Sequence, residues 1–166
     1  MKRIIILTAL FLILLPVIQT EAKIKEPTFE ETVETMVREH RIMLDRLIAA
    51  WEHRKEEINL LAEVIYHENW HTDKEHLAAY YTGAVVMNRV NSKAWPDTVK
   101  EVLYQRGQYS TTKLFYTKEI PAECYEMARD IYKNGTPDVP ANVIFQAMRP
   151  LGKTWKRVNT DFFCYG

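Results

Sequence analysis

Ile65-Tyr66-His67-Glu68-Asn69-Trp70-His71 lies where two patterns meet in a chain of 166 residues. Before it, Ile58 to Tyr66 is apolar nearly all round, the pattern of a helix buried on every side. After it, Asn69 to Asp73 loses the helical period, and Asn, Thr and Asp side chains compete for backbone hydrogen bonds. The stretch therefore reads as the end of a buried helix that delivers one carboxylate, Glu68, to a loop. Two chemistries fit that carboxylate. Either Glu68 acts alone as a general acid, or His67-Glu68-x-x-His71 is the H-E-x-x-H spelling of a zinc peptidase. In the second case two imidazoles four apart on one helix face share an ion.

Downstream, Thr72-x-x-Glu75 spells a capping box and Asp73 offers an alternative N-cap, so a second helix is expected from there through Leu77, Tyr81, Val85 and Asn88. Trp95-Pro96-Asp97-Thr98 reads as a turn into a short helix, Val99 to Tyr104. A polar loop, Arg106 to Ser110, follows it. Pro121 to Asn134 is helical and Gly135 ends it. Thr136 to Pro140 is a turn. Val143-Ile144-Phe145 and Phe162-Phe163-Cys164-Tyr165 are β-prone runs that pair as a small antiparallel sheet flanking Trp155. The expected class is α+β, mainly helical.

Upstream, Thr28-x-x-Glu31 spells another capping box after a polar joint, Lys23 to Pro27. Phe29, Val33, Met36, Leu44, Leu47, Trp51, Ile58, Leu61 and Ile65 then mark one helix face, with His40 and Arg54 interrupting it. Two readings stay open: one or two helices packed on the domain, or a stalk or dimerising helix. The charged run His53 to Glu57 is a solvated face or a break between two helices.

The N-terminus is basic at Lys2 and Arg3, then apolar from Ile4 to Ile18 apart from Thr8 and Pro16. That run falls short of the roughly 20 residues a spanning helix needs, and Thr20-Glu21-Ala22 offers small residues at −3 and −1. The expected organisation is a signal peptide or signal anchor over 1–22, an amphipathic helical segment over 23–57 and a catalytic domain over 58–166. Contact with a membrane is expected only through the N-terminal segment, and only if it stays uncleaved. The location is extracytoplasmic, secreted or membrane-anchored, where Cys124 and Cys164 are permitted to pair but are not placed together by spacing. Lys and Arg balance Asp and Glu at 22 each, which leaves no global field to recruit nucleic acid.

The zinc spelling needs an unbroken helix and a third ligand. Asn69, Thr72 and Asp73 predict that the helix fails at or just after the motif. The next histidine is His76, and no H-x-x-G-x-x-H follows. Glu101 is the distant alternative ligand.

The general-acid reading draws on more of the chain. Leu60-Leu61-Ala62-x-Val64-Ile65-Tyr66-x-Glu68, Thr82-Gly83-Ala84-Val85-Val86-Met87-Asn88-Arg89-Val90 and Trp95-Pro96-x-Thr98-Val99 lead into Gln105-x-Gly107-Gln108-Tyr109-Ser110. Ala128-x-x-Ile131-x-x-x-Gly135 and Pro140-x-x-Val143-Ile144-Phe145-Gln146-Ala147 follow in order. Together these segments resemble the spore-cortex-lytic-type cell-wall hydrolases over residues 58–166. The chain departs from that pattern in a slightly longer loop after Glu68, in Gln146-Ala147-Met148, and in its Asp161-to-Tyr165 end.

The resemblance implies a lysozyme-like domain that cuts peptidoglycan glycan strands, as a lytic transglycosylase or a muramidase, with no cofactor and no metal. It implies Glu68 as the catalytic acid and base, and Tyr66, Gln105, Gln108, Tyr109, Ser110 and Gln146 as substrate contacts. A transglycosylase needs one carboxylate. A hydrolase of the two-carboxylate kind needs a second, for which Asp97, Glu101 and Asp161 are the candidates. Asn88 and Arg89 are read as capping and bracing the second helix, and Trp70, Trp95 and Trp155 as core. Two other classes remain beside this one: the zinc peptidase, and a non-catalytic wall-binding module whose surface is the helix 28–57.

Overall fold

A computed structural model describes residues 26–166, so the signal segment expected at 1–22 lies outside the described residues. The chain divides into two units, one ending at Leu47 and one running from Ile48 to Gly166. In the first unit, residues 26–47 carry the start of helix α1, Phe29–Asn69. Its capping box forms as spelled: the Glu31 amide donates to Thr28 Oγ1 at 3.2 Å and the Thr28 amide to Glu31 Oε2 at 2.7 Å. In this unit Val33, Met36, Leu44 and Leu47 of the apolar stripe are exposed. The two-helix alternative is corrected. The helix is continuous through His53–Glu57, because positions 29–69 contain neither Gly nor Pro to break it. Among the described residues no helix is long and apolar enough to cross a membrane.

The second unit is mainly helical, with a small three-stranded sheet. After α1 come α2 (Leu77–Val90), α3 (Val99–Tyr104), a 3₁₀ turn (Ser110–Leu114), α4 (Ala122–Asn134), β1 (Val143–Ala147), β2 (Thr154–Val158) and β3 (Asp161–Tyr165). Helix α2 is central because both its faces are apolar. Ala79 and Val86 join Leu61, Ile65, Leu103 and Ile131 in one core cluster. On the other side Ala78, Tyr81, Ala84 and Val85 meet Val143 and Phe163 of the sheet. Each fully buried Leu or Ile in such a cluster contributes on the order of 1.5–3 kcal/mol. Close approach is why Gly83 lies inside α2, since a Cβ there would stand 2.7 Å from Ile131 Cδ1 and 3.1 Å from Ile65 Cδ1.

Helix α2 starts at Leu77 rather than near Thr72. His76 takes a left-handed backbone with φ 53°, and its ring stacks on Trp70 at 3.7 Å. Asp73 still caps from outside, accepting from the Leu77 and Ala78 amides at 2.8 and 3.0 Å. Helices α3 and α4 lie where the sequence puts them, and Gly135 closes α4 with φ 72°.

Helix α3 has a cap the sequence did not reveal. Glu57, buried on α1, accepts from the Val99 amide at 2.8 Å and the Lys100 amide at 3.3 Å. The charged run is therefore solvated except at Glu57, where the helix dipole and two orphan amides hold a carboxylate.

The expected sheet forms, with β1 antiparallel to β3, but it has a third member. Trp155 is not merely flanked by the sheet: it lies within β2, which pairs with the other edge of β3. The β2–β3 turn uses Asn159 at φ 50°, a left-handed position that asparagine tolerates. The Asn159 side chain then donates to the Thr72 carbonyl at 2.7 Å, tying this hairpin to the loop that follows α1. Cys124 and Cys164 are both buried and free, so no bridge joins them.

Candidate active site

Glu68 is the penultimate residue of α1, half-buried at the edge of the core. Its Oε1 accepts from Thr111 Oγ1 at 2.5 Å, from the 3₁₀ turn. Burial raises its carboxyl above the usual carboxylate range. The Thr111 bond works against that rise, and the negative charge of Asp161 adds to it. A carboxyl that burial makes harder to ionise, at a helix end, is better equipped to donate a proton than a fully solvated one.

Asn69, the last residue of α1, is only 2 % exposed. Its amide is oriented by its neighbours, the oxygen toward donors and the nitrogen toward acceptors. So placed, Nδ2 lies 3.2 Å from Asp161 Oδ2 and 3.1 Å from the Glu68 carbonyl, and Oδ1 accepts from Gln146 Nε2 at 2.8 Å. Thr82 Oγ1 lies 2.9 Å from the same amide and donates to the Ala78 carbonyl. One buried side chain thus links α1, α2, β1 and β3 directly behind Glu68.

A second network lies around Arg89, which is buried without a carboxylate partner among the described residues. Its Nε donates to the Ile144 carbonyl at 2.7 Å and its Nη1 to Gln108 Oε1 at 3.0 Å. Its guanidinium lies 4.3 Å from the Trp95 ring and 5.4 Å from the Tyr109 ring. Asn88 donates to the carbonyls of Pro140 and Val143, at 3.0 Å each. The expectation that Asn88 and Arg89 brace α2 is thus redirected, since they reach out from α2 to hold β1 and the Gln108 loop. Two aromatic faces and two acceptors offset what an unpaired buried cation otherwise costs.

The predicted contact residues divide between these networks. Tyr109 is buried beside Glu68; burial pushes its phenol up to about 12, with Arg89 lowering it and Glu68 adding to the rise. Among the described residues its hydroxyl has no hydrogen-bond partner, and neither has Gln146 Oε1 or Gln105 Oε1. Buried polar atoms of this kind are ordinarily satisfied by an ordered water or a ligand. Gln105 and Gln108 line a hollow of about 410 Å³ with Ala94, Trp95 and Arg106. Gly107 turns this loop at φ 82°, a conformation that favours glycine. Ser110 is exposed at the start of the 3₁₀ turn. Tyr66 is half-buried on α1, two residues before Glu68. Its ring lies against His67 and His71, at 5.1 Å each, with Lys118 Nζ 4.7 Å away.

Of the three acids weighed as a second carboxylate, only Asp161 bears on Glu68. Glu101 is occupied at the start of α3, exchanging hydrogen bonds with Thr98. Asp97 is exposed.

The histidines of His67-Glu68-x-x-His71 do not share a helical turn, since α1 ends at Asn69. His67 Nε2 instead approaches Glu63 Oε2 at 3.3 Å, without the alignment of a hydrogen bond. Among the described residues no three His, Cys, Asp or Glu side chains gather as a metal site.

Thr111, Asn69 and Thr82 are the site residues that sequence reasoning missed. Thr111 and Asn69 lie at helix ends and read as caps, and Thr82 lies inside α2 and reads as a small core residue; nothing local tells either from a member of the site.

A family model described as Cell Wall Hydrolase matches residues 73–162. The match takes in Thr82, Arg89, the Gln105-to-Ser110 loop, Thr111, Gln146 and Asp161, and begins five residues after Glu68. No curated protein and no solved structure matches the chain.

Proposed function

Because the chain belongs to the Cell Wall Hydrolase family, whose members degrade peptidoglycan, we propose that it cuts the glycan strands as a lytic transglycosylase with Glu68 as general acid and base. The observation that carries this reading is the state of Glu68: half-buried, raised above the usual carboxylate range by that burial, and oriented by Thr111.

Glu68 gives its proton to the glycosidic oxygen between N-acetylmuramic acid and N-acetylglucosamine as the bond from C1 breaks. The resulting carboxylate takes the proton of the muramoyl C6 hydroxyl, whose oxygen closes on C1 to form a 1,6-anhydro ring. The proton balance closes on Glu68, and no water is consumed. Tyr109, Gln105, Gln108, Ser110 and Gln146 hold the strand through hydroxyls, amides and one aromatic face. The domain 58–166 carries the activity. The start of the sequence, residues 1–22, supports export to the wall with or without a retained anchor.

The test is digestion of purified peptidoglycan by residues 23–166 and by Glu68→Gln, with products identified by mass spectrometry. Anhydro-muramoyl ends that disappear in the variant are expected. New reducing ends would move the enzyme to the hydrolases. Chelator-sensitive peptide cleavage would sink the reading in favour of zinc chemistry, and binding without products in favour of a wall-binding module.

A further inference from the structure

We propose that α1 carries a self-association surface: two copies of this chain pair antiparallel through one apolar face of residues 33–51. The surface is independent of Glu68 and of the chemistry at its carboxyl.

The face is built on a repeat. Val33, Met36, Val37 and His40 recur eleven residues on as Leu44, Leu47, Ile48 and Trp51. An 11-residue period takes three helical turns at about 3.67 residues each, so such a stripe stays on one side of a helix that packs lengthwise on another. All eight positions lie within α1. In the first unit Val33, Met36, Val37, Leu44 and Leu47 are 40–58 % exposed. In the second unit Ile48 and Trp51 are 54 and 61 % exposed, whereas Ile58, Leu61 and Ile65, farther along the helix, pack in or against the core. An apolar stripe that is covered at one end and open over the rest marks a contact surface.

Three features of the face fit a second copy of the chain. Its spacing reads the same from both ends, about Ile42. An antiparallel copy therefore sets Val33 opposite Trp51, Met36 opposite Ile48, Val37 opposite Leu47 and His40 opposite Leu44, each twice, as a two-fold contact requires. A parallel copy would instead set Trp51 on Trp51 and His40 on His40. The imidazole already has one polar atom satisfied, since its Nδ1 donates to the Met36 carbonyl at 3.0 Å. The charges at the edges follow the same symmetry. Antiparallel pairing about Ile42 brings Arg41 to Asp45 on one edge and Glu39 to Arg46 on the other, and flanking pairs of this kind set the orientation of paired helices. Among the described residues none of these four is in a salt bridge within the chain. The area is sufficient as well. The seven apolar side chains expose roughly 600 Å² per chain, so a pair buries about 1,200 Å², above the ~1,000 Å² of a specific interface. A lipid surface fits less well. Positions 28–56 carry seven Asp and Glu against five Lys and Arg, without the basic polar face of a bilayer-bound helix.

The test is the mass of the full chain in solution, by light scattering at about 100 μM, where a micromolar dimer is complete. Wild type is expected at twice the chain mass, and Leu44→Glu combined with Leu47→Glu is expected to halve it. Ile42→Glu, on the opposite side of α1 and also exposed, is expected to stay dimeric. Circular dichroism checks the fold. Should the double variant lose it, Met36→Glu must halve the mass in its place. Orientation is read by oxidising Val37→Cys and Leu47→Cys proteins, alone and mixed, with wild type as the control for the buried Cys124 and Cys164. A disulfide-linked dimer is expected in the mixture only. A monomeric wild type overturns the proposal, and so does a dimer that survives the glutamates or is lost equally with Ile42→Glu. Cross-linking of either cysteine variant alone overturns the antiparallel arrangement. Flotation of a monomer with phosphatidylcholine–phosphatidylglycerol vesicles, lost with the same glutamates, would give the face to a lipid surface instead.

Discussion

Thr111 donates its hydroxyl to Glu68 Oε1 at 2.5 Å, across 43 positions of sequence. The bond sets the direction of the acid and opposes the rise that burial causes, since a donor to a carboxylate favours its charged form. Glu68 is thus balanced between Thr111, which draws its proton off, and burial with Asp161, which hold it on.

Thr111→Val removes that donor at nearly constant volume. The alkaline limb of the kcat/KM profile then moves to higher pH. The plateau also falls, on the order of tenfold, because the acid is no longer aimed. A limb that stays put or moves down would show that Glu68 does not feel this bond.

Glu68→Gln is more stable than wild type at neutral pH. The folded-state pKa of Glu68 lies above its unfolded value, so the native state holds an extra proton between the two. Stability is therefore lost as pH rises from the ordinary carboxylate range through the folded pKa, and the neutral amide escapes that loss. Urea midpoints for the two proteins should converge at acid pH and separate at neutral pH. Equal midpoints throughout would contradict the assignment.

Arg89→Lys keeps the charge and loses the geometry. A lysine lacks the planar fork that reaches the Ile144 carbonyl and Gln108 together while lying between Trp95 and Tyr109. The expected cost is about 1–3 kcal/mol in a denaturant titration. A rise in KM larger than the fall in kcat is expected as well, since the Gln108 loop loses its brace. A change confined to kcat would place Arg89 in the chemical step instead.

Glu57→Ala uncaps α3 from a distance. The Val99 and Lys100 amides lose their buried acceptor, at a cost of about 1–3 kcal/mol. Activity per folded molecule is expected to be unchanged, because Glu57 takes no part in the networks around Glu68 and Arg89. Thermal melts paired with active-site titration test both halves.

What was legible in the sequence is what short-range physics dictates. The Thr28–Glu31 box, the limits of α3 and α4 and the closing Gly135 depend on neighbours within a few residues, and they lie where the residues put them. The later start of α2 was not legible, because it turns on His76 stacking with Trp70 in a left-handed conformation. Likewise β2 carries no alternating apolar pattern of its own. Thr154–Val158 is mostly exposed, and it is a strand because β3 offers it an open edge.

The sequence by itself determined that a buried helix ends at or just after Glu68, and it carried enough ordered motifs to resemble the family to which the chain belongs. Only the tertiary structure decided which groups surround that carboxylate. It brought the Thr111 hydroxyl onto Glu68, placed Asn69 between Asp161 and Gln146, set the Tyr66 ring against His67 and His71 and left Cys124 and Cys164 free. The physical reason is range. Helix caps and periods are settled among residues a few positions apart, whereas the charge state of Glu68 depends on burial and on groups tens of residues away, which only packing brings within a few ångströms.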